Sequence, residues 1–247
     1  LKMEQNQTIN KLRQMRLSAM AELHYQQLQS NQLQKFTADE YVALLIQHEW
    51  EDRQNKKTDR LLKTARFKQN AAIVEVDYSH VRNLDKNMFD RLGTMGFLKK
   101  KENIILTGPS GVGKSYLAQA LGNQACLLGY KALYTNTARL LSKMKLAKVD
   151  GTYIKELKKL QNMDLLILDD FGLQAFDQHA RETLMDIIDD RFNQNSTVVA
   201  SQIPVATWYD IIGEGTIADA ILDRLVNSSH RIDLKGESLR KGILKNE

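Results

Sequence analysis

The sequence holds one cysteine, Cys126, and two prolines, Pro109 and Pro204, in 247 residues. A lone cysteine excludes an intramolecular disulfide framework and fits a reducing compartment. No apolar run approaches the roughly 20 residues that cross a bilayer. The polar opening stretch, residues 1–10, lacks the apolar centre of a signal peptide, so a cytoplasmic protein is expected. Charge of one sign is scarce too. Lys and Arg number 35 against 30 Asp and Glu, a net of +5, with a pI near 9.1. That excess permits a polyanionic partner without requiring one. Hydrophobic residues at 43% and charged residues at 26% exclude a disordered chain.

The most informative absence is local: neither glycine nor proline occurs before Gly93. A stretch so rich in Leu, Gln, Lys, Arg, Ala and Glu reads as helical. The recurrence of Ile9, Leu12, Leu17, Met20 and Leu23 predicts one helix over 7–28. Thr37 and Glu40 have capping-box spacing and predict a second, from Thr37 to about Phe67. Together they define a small all-α N-terminal domain over 1–69. A linker over 70–102 follows, in which Asp85–Leu92 reads as a short helix stopped by Gly93.

From Asn103 the texture changes. Short apolar runs, Ile104–Thr107, Ala132–Thr135, Leu165–Asp169, Thr197–Ser201 and Arg231–Leu234, alternate with helical segments. Five buried strands separated by helices predict an α/β domain over 103–247 with a mostly parallel sheet.

Gly108-Pro109-Ser110-Gly111-Val112-Gly113-Lys114-Ser115 matches G-x-x-x-x-G-K-[ST], between a predicted strand and a predicted helix, Tyr116–Leu128. The glycines let backbone N–H groups wrap phosphate, and the positive helix end faces it. Lys114 is expected to reach the β- and γ-phosphates of ATP, and Ser115 to ligate Mg2+. Leu165–Leu168 then ends in Asp169-Asp170, the place of the acid that bonds the magnesium shell (Asp169) and of one that orients the attacking water (Asp170). Ser201 and Gln202 end another strand, either as sensors of the γ-phosphate or as a plain strand-to-loop transition. Arg224 lies on a predicted helix, Thr216–Val226, whose Ile217, Ile221, Leu222 and Leu225 face the core. From spacing it reads first as a surface arginine paired with Asp223 or Asp219, and otherwise as an arginine finger.

Two basic clusters stand out: Arg53, Lys56, Lys57, Arg60, Lys63 and Lys68, and Lys143, Lys145, Lys148, Lys155, Lys158 and Lys159. Each is either a solvated helix face or a track for a nucleic-acid backbone. No base-reading or zinc pattern accompanies them, so binding would follow the backbone.

Taken together, these features resemble the IstB family, the AAA+ ATPases that assist the transposases of bacterial insertion sequences and that are similar to DnaC helicase loaders. The resemblance is carried by Leu12–Ala21, by Glu49–Arg53 through Ala65–Phe67, and by Gly108–Ser115, Leu166–Gly172, Ser201–Pro204, Leu222–Leu225 and Lys235–Arg240. It implies a five-stranded AAA+ core without a separate lid domain, ATP-dependent self-assembly on double-stranded DNA, and recruitment of a transposase to its target. By that resemblance Arg224 becomes the arginine finger. The basic residues, Arg53, Lys56, Lys57, Arg60, Lys143, Lys145 and Lys148 foremost, become DNA contacts. The N-terminal stretch favours this over the alternative, a DnaC-like replicative helicase loader. Relatives usually carry Asp-Glu where this chain has Asp169-Asp170, and Ser-Asn where it has Ser201-Gln202. Both departures fall on water positioning and predict slow hydrolysis.

Overall fold

Three helices, where the sequence predicts two, build the first compact unit, residues 1–60. They appear in a computed structural model that describes residues 2–30 and 35–239. Helix α1 spans Lys2–Gln14 and α2 spans Ser18–Gln29. The break falls at Arg16, whose φ of 60° is left-handed, and Leu17 N–H returns to Leu12 O at 2.9 Å. That is a helix stop made without glycine. The next start is capped from afar: Glu49 Oε2 accepts the N–H groups of Ala19 and Met20, each at 3.0 Å. Helix α3, Ala38–Ala65, begins at the expected capping box. Glu40 Oε2 accepts Thr37 N–H at 2.8 Å, and Thr37 Oγ1 accepts Glu40 N–H at 3.3 Å.

The second unit, residues 61–247, is organised by five parallel strands: β1 Asn103–Thr107, β2 Ala132–Asn136, β3 Leu165–Asp169, β4 Ser196–Ser201 and β5 Ser229–Asp233. Their order is β2-β3-β4-β1-β5. Alternate side chains enter opposite layers, as the period of two demands. Ile104, Leu106, Leu165, Ile167, Val198 and Ala200 pack on one face with α6, Lys114–Leu127. Ile105, Leu166, Leu168 and Val199 pack on the other. That second face is covered by α7 (Thr137–Val149), α8 (Tyr153–Gln161), α9 (Gln178–Arg191), α10 (Trp208–Ile212) and α11 (Gly215–Val226). Burial on both faces is why the central strands β1, β3 and β4 read as nearly unbroken apolar runs, while the edge strands β2 and β5 are partly exposed.

The segment read as a linker joins this core. Helices α4 (Lys86–Gly93) and α5 (Gly96–Lys100) contribute buried Phe89, Leu92, Phe97 and Leu98. Asp85 caps α4 by accepting Met88 N–H at 3.0 Å. The helix ends with Gly93 as its last residue, and the left-handed turn falls on Met95 (φ 59°).

Arg191 is the buried cation of the second layer, 1% exposed. Its guanidinium donates to Leu160 O (2.6 Å), Met163 O (2.8 Å) and Ser196 O (2.5 Å), and its Nε to Thr197 Oγ1 (3.2 Å). Burial pulls its pKa down to about 9. It ties the end of α8 to the start of β4. Arg191→Met strands those acceptors in an apolar layer and is expected to cost about 3–5 kcal/mol in urea or thermal unfolding. A loss under about 1 kcal/mol overturns this role.

Candidate functional site

The loop between β1 and α6 carries the phosphate-binding sequence. Gly108 sits at φ 139°, and a Cβ there would lie 2.2 Å from Leu234 O, so no other residue fits. Lys114 opens α6, and its Nζ donates to Gly108 O and Pro109 O, both at 2.7 Å. One turn of loop is thus held closed by its own lysine. Ser110, Gly111, Gly113, Lys114, Ser115 and Tyr116 line a cavity of about 660 Å³, and Val112 is buried behind it.

The end of β3 faces the same cavity. Asp169 Oδ1 accepts Ser115 Oγ–H at 3.0 Å and Asp170 N–H at 2.9 Å. Its Oδ2 accepts a short bond from the Tyr134 hydroxyl. Burial first, and this carboxylate second, push the Tyr134 phenol up, so it remains a donor. Asp170 stands at φ 55° with its Oδ2 on Asn136 Nδ2 at 2.9 Å. The β2–β3 register sets Asn136 beside Asp169, and Thr137 Oγ1 donates to Asp169 O at 2.9 Å. A second cavity of about 340 Å³, lined by Asn136, Leu141, Leu173 and Phe176, shares Asp170 with the first.

These groups fit a nucleoside triphosphate with Mg2+. The loop backbone and one lysine supply the phosphate cradle. Ser115 and Asp169 set two hard oxygen donors together. Among the described residues no group of three or more His, Cys, Asp or Glu could hold a metal. Mg2+ bound through one or two protein oxygens and the phosphates needs none.

The other expected site residues divide. Gln202 lines the cavity, but the Ser201 hydroxyl is fully buried, donating to Phe171 O (2.7 Å) and accepting Ile203 N–H (3.0 Å). Ser201 therefore fixes the end of β4 and leaves Gln202 as the polar group facing the ligand space. Arg224 pairs with Asp189 of α9 at 2.9 Å, not with Asp219 or Asp223, and its guanidinium lies over the Phe192 ring. Asn103 Nδ2 donates to Arg224 O at 3.1 Å, which fixes Arg224 beside the amino end of β1, opposite the phosphate loop.

The basic residues are interleaved with acids. Arg53 pairs with Glu49 at 2.8 Å and donates to Arg16 O; Lys56 pairs with Asp52 at 2.7 Å. Lys57 and Arg60 are exposed. Lys143 pairs with Glu156, Lys145 with Asp177 at 3.5 Å and Lys148 with Glu182 at 3.7 Å.

Sequence reasoning missed Tyr134, Asn136, Thr137 and Arg82. The polar finish of β2, Tyr134-Thr135-Asn136, was the available signal, since ligands sit at the carboxyl ends of parallel strands. The C-terminal stretch also returns to the loop: Lys235 N–H donates to Arg82 O and Leu239 N–H to Gly111 O, both at 3.0 Å. Arg240, the last residue of that stretch, lies outside the described residues.

Comparison with known proteins agrees with this geometry. The DnaC helicase loader superposes with a TM-score of 0.56 at 22% identity, over 67% of this chain and 97% of that one. AMPPCP-bound DnaA from Aquifex aeolicus gives 0.58 at 18% identity, over 73% and 55%. These likenesses show the fold, an α/β core with a five-stranded parallel sheet and a phosphate loop. An insertion sequence ATP-binding protein of Sinorhizobium fredii is 41% identical over 234 residues, 95% of this chain and 96% of its own. The ATP-binding protein of insertion sequence IS1162 from Pseudomonas fluorescens is 39% identical over 201 residues, 81% and 87%. The profile of IstB-like ATP binding proteins matches residues 10–246, from the first helices past the last strand, and the chain belongs to that family.

Proposed function

We propose that this protein is a cytoplasmic ATPase that uses ATP and Mg2+ to assemble copies of itself on double-stranded DNA, and thereby helps a transposase select and engage its target. The observation that carries the reading is the separation of Arg224 from the phosphate loop of its own chain. The two stand at opposite ends of β1, five residues and so about 17 Å long. A guanidinium there is out of reach of its own γ-phosphate and is available to a neighbour's. Its partner Asp189 is 58% exposed, so the ion pair can be exchanged at low cost.

In this reading Lys114 turns from two loop carbonyls to the β- and γ-phosphates. Ser115 and Asp169 would hold Mg2+, which would supply neutralisation of the developing phosphate charge. Asp170, oriented by Asn136, positions the water, and Gln202 senses the γ-phosphate. Asp170 is one methylene shorter than the family's usual glutamate, which supports slow turnover and a long-lived ATP-bound assembly. Loss of the γ-phosphate removes the group shared between subunits and releases the assembly. The transposase as partner is supported by the insertion sequence relatives.

Sedimentation with duplex DNA tests the reading. ATP is expected to convert monomer or small oligomer into a large DNA-bound assembly, and an unchanged size with ATP and DNA sinks it. DNA contacts through Lys56, Lys57 and Arg60, or through Lys143, Lys145 and Lys148, predict affinity that falls steeply with salt. Neutralising the first trio is expected to reduce the log–log salt slope by about 2. Neutralising the second trio, whose members pair with Glu156, Asp177 and Glu182, is expected to reduce it as well. A wild-type slope in both variants assigns the clusters to solvated faces.

A further inference from the structure

Arg82 lies in the chain between the short 3-10 helix Ile73–Glu75 and α4, outside the phosphate-loop and strand-end motifs. It is 5% exposed and lines the same cavity as Lys114 and Ser115. Its Nη2 donates to Asp77 O at 2.6 Å and its Nη1 to Val112 O at 3.3 Å, while its buried Nε finds no hydrogen-bond partner among the described residues. The guanidinium presses on the phosphate loop: a Cβ on Gly113, at φ 98°, would lie 2.7 Å from Nη1. Among the described residues it makes no ion pair. The Asp77 carboxylate, whose charge supports this cation, makes its hydrogen bonds with Ser79 N–H (2.7 Å), the Ser79 hydroxyl (2.6 Å) and His80 Nδ1 (2.7 Å) instead. Desolvation accordingly lowers the Arg82 pKa.

A guanidinium taken out of water, with its hydrogen bonds made to carbonyls and only the charge of Asp77 to support it, is under-compensated. Carbonyl dipoles satisfy its N–H groups without neutralising it. Among the described residues no carboxylate bonds it, and the cavity is open beside it. We propose that Arg82 is a second cationic ligand of the nucleotide, completing from the segment before β1 the neutralisation of phosphate charge that Lys114 begins. This rests on the reading that the cavity takes ATP. It adds a contact made within one subunit, distinct from Arg224, which acts on a neighbour. Arg82 is then a binding and positioning residue: ATP seats between it and Lys114, and the loop carbonyl of Val112 holds it in place meanwhile.

The alternative role is a brace that merely supports the loop, and the two differ in the nucleotide-free protein. Removing a brace destabilises the free protein. Removing an unpaired buried charge does not. Thermal unfolding of the full chain without nucleotide, and titration with Mg–ATP, are therefore measured for wild type, Arg82→Gln and Arg82→Lys. Arg82→Gln is expected to melt no lower than wild type without nucleotide, yet to bind ATP at least about tenfold more weakly. Arg82→Lys is expected to keep most of the affinity. Wild-type ATP affinity in Arg82→Gln overturns the proposal. So does a lower nucleotide-free Tm in both variants with matching losses of affinity, the signature of a brace. If wild type itself binds no ATP, the nucleotide reading falls first, and the titration separates that outcome from the others.

Discussion

Arg224→Ala is expected to bind ATP about as well as wild type and to hydrolyse it on the order of a thousandfold more slowly, with weak assembly on DNA. The size of the effect follows from where the guanidinium acts. An arginine finger stabilises charge that exists only in the transition state, so losing one lowers turnover without touching the ground-state affinity of its own chain's site. The ion pair with Asp189 and the contact with Phe192 contribute little, because half-exposed pairs are worth about 1 kcal/mol or less. A small stability change with a large loss of turnover is therefore the expected pattern. Mixing sharpens the test. Arg224→Ala and Lys114→Ala subunits each lack one half of a composite site, so mixed assemblies regain some interfaces with both halves intact. Partial recovery supports a shared site. Wild-type hydrolysis and assembly in Arg224→Ala alone would reduce this arginine to the partner of Asp189.

The second large effect belongs to Lys114. Lys114→Ala is expected to weaken ATP binding by about a hundredfold or more, the scale for truncating a buried charge paired with another. Lys114 is 7% exposed and bonded to two loop carbonyls, so it is more enclosed than a surface loop residue. Its removal leaves Gly108 O and Pro109 O facing a water-filled cavity rather than apolar core, which limits the stability cost to about 1 kcal/mol. Calorimetric titration with ATP, paired with urea unfolding, reads both quantities. Equal ATP affinity in wild type and variant removes the nucleotide from this cavity.

The features legible in the sequence were those whose cause is local. The five strands fall within two residues of their expected runs, and the central three, β1, β3 and β4, within one, because a strand buried on both faces writes its extent directly into composition. The capping box at Thr37 and Glu40 is likewise three residues long and self-contained. The break between α1 and α2 was not legible. Its left-handed residue is an arginine, and its cap comes from Glu49, 30 residues from Ala19. In the site, Lys114, Ser115 and Asp169 announce themselves by spacing. Asn136 and Tyr134 do not, since only the β2–β3 register sets them against Asp169 and Asp170. Arg224 was legible as an arginine on a helix, but its partner Asp189 lies on another helix and no spacing rule reaches it.

The strand order has a consequence for the timing of synthesis. β1, which carries the phosphate loop, is flanked by β4 and β5, with Thr107 in register with Ser201 and Asp233. Both neighbours are translated long after the loop itself. While residues 108–195 emerge, β1 has neither flanking strand, and its main-chain groups find no ladder. Contacts this distant along the chain form late, after the entropy of closing a long loop has been overcome. A ribosome-bound fragment ending before residue 196 therefore displays the whole phosphate-binding sequence without its supporting sheet. On the proposed reading, ATP capture, and any assembly that depends on it, waits until β4 and β5 have been made.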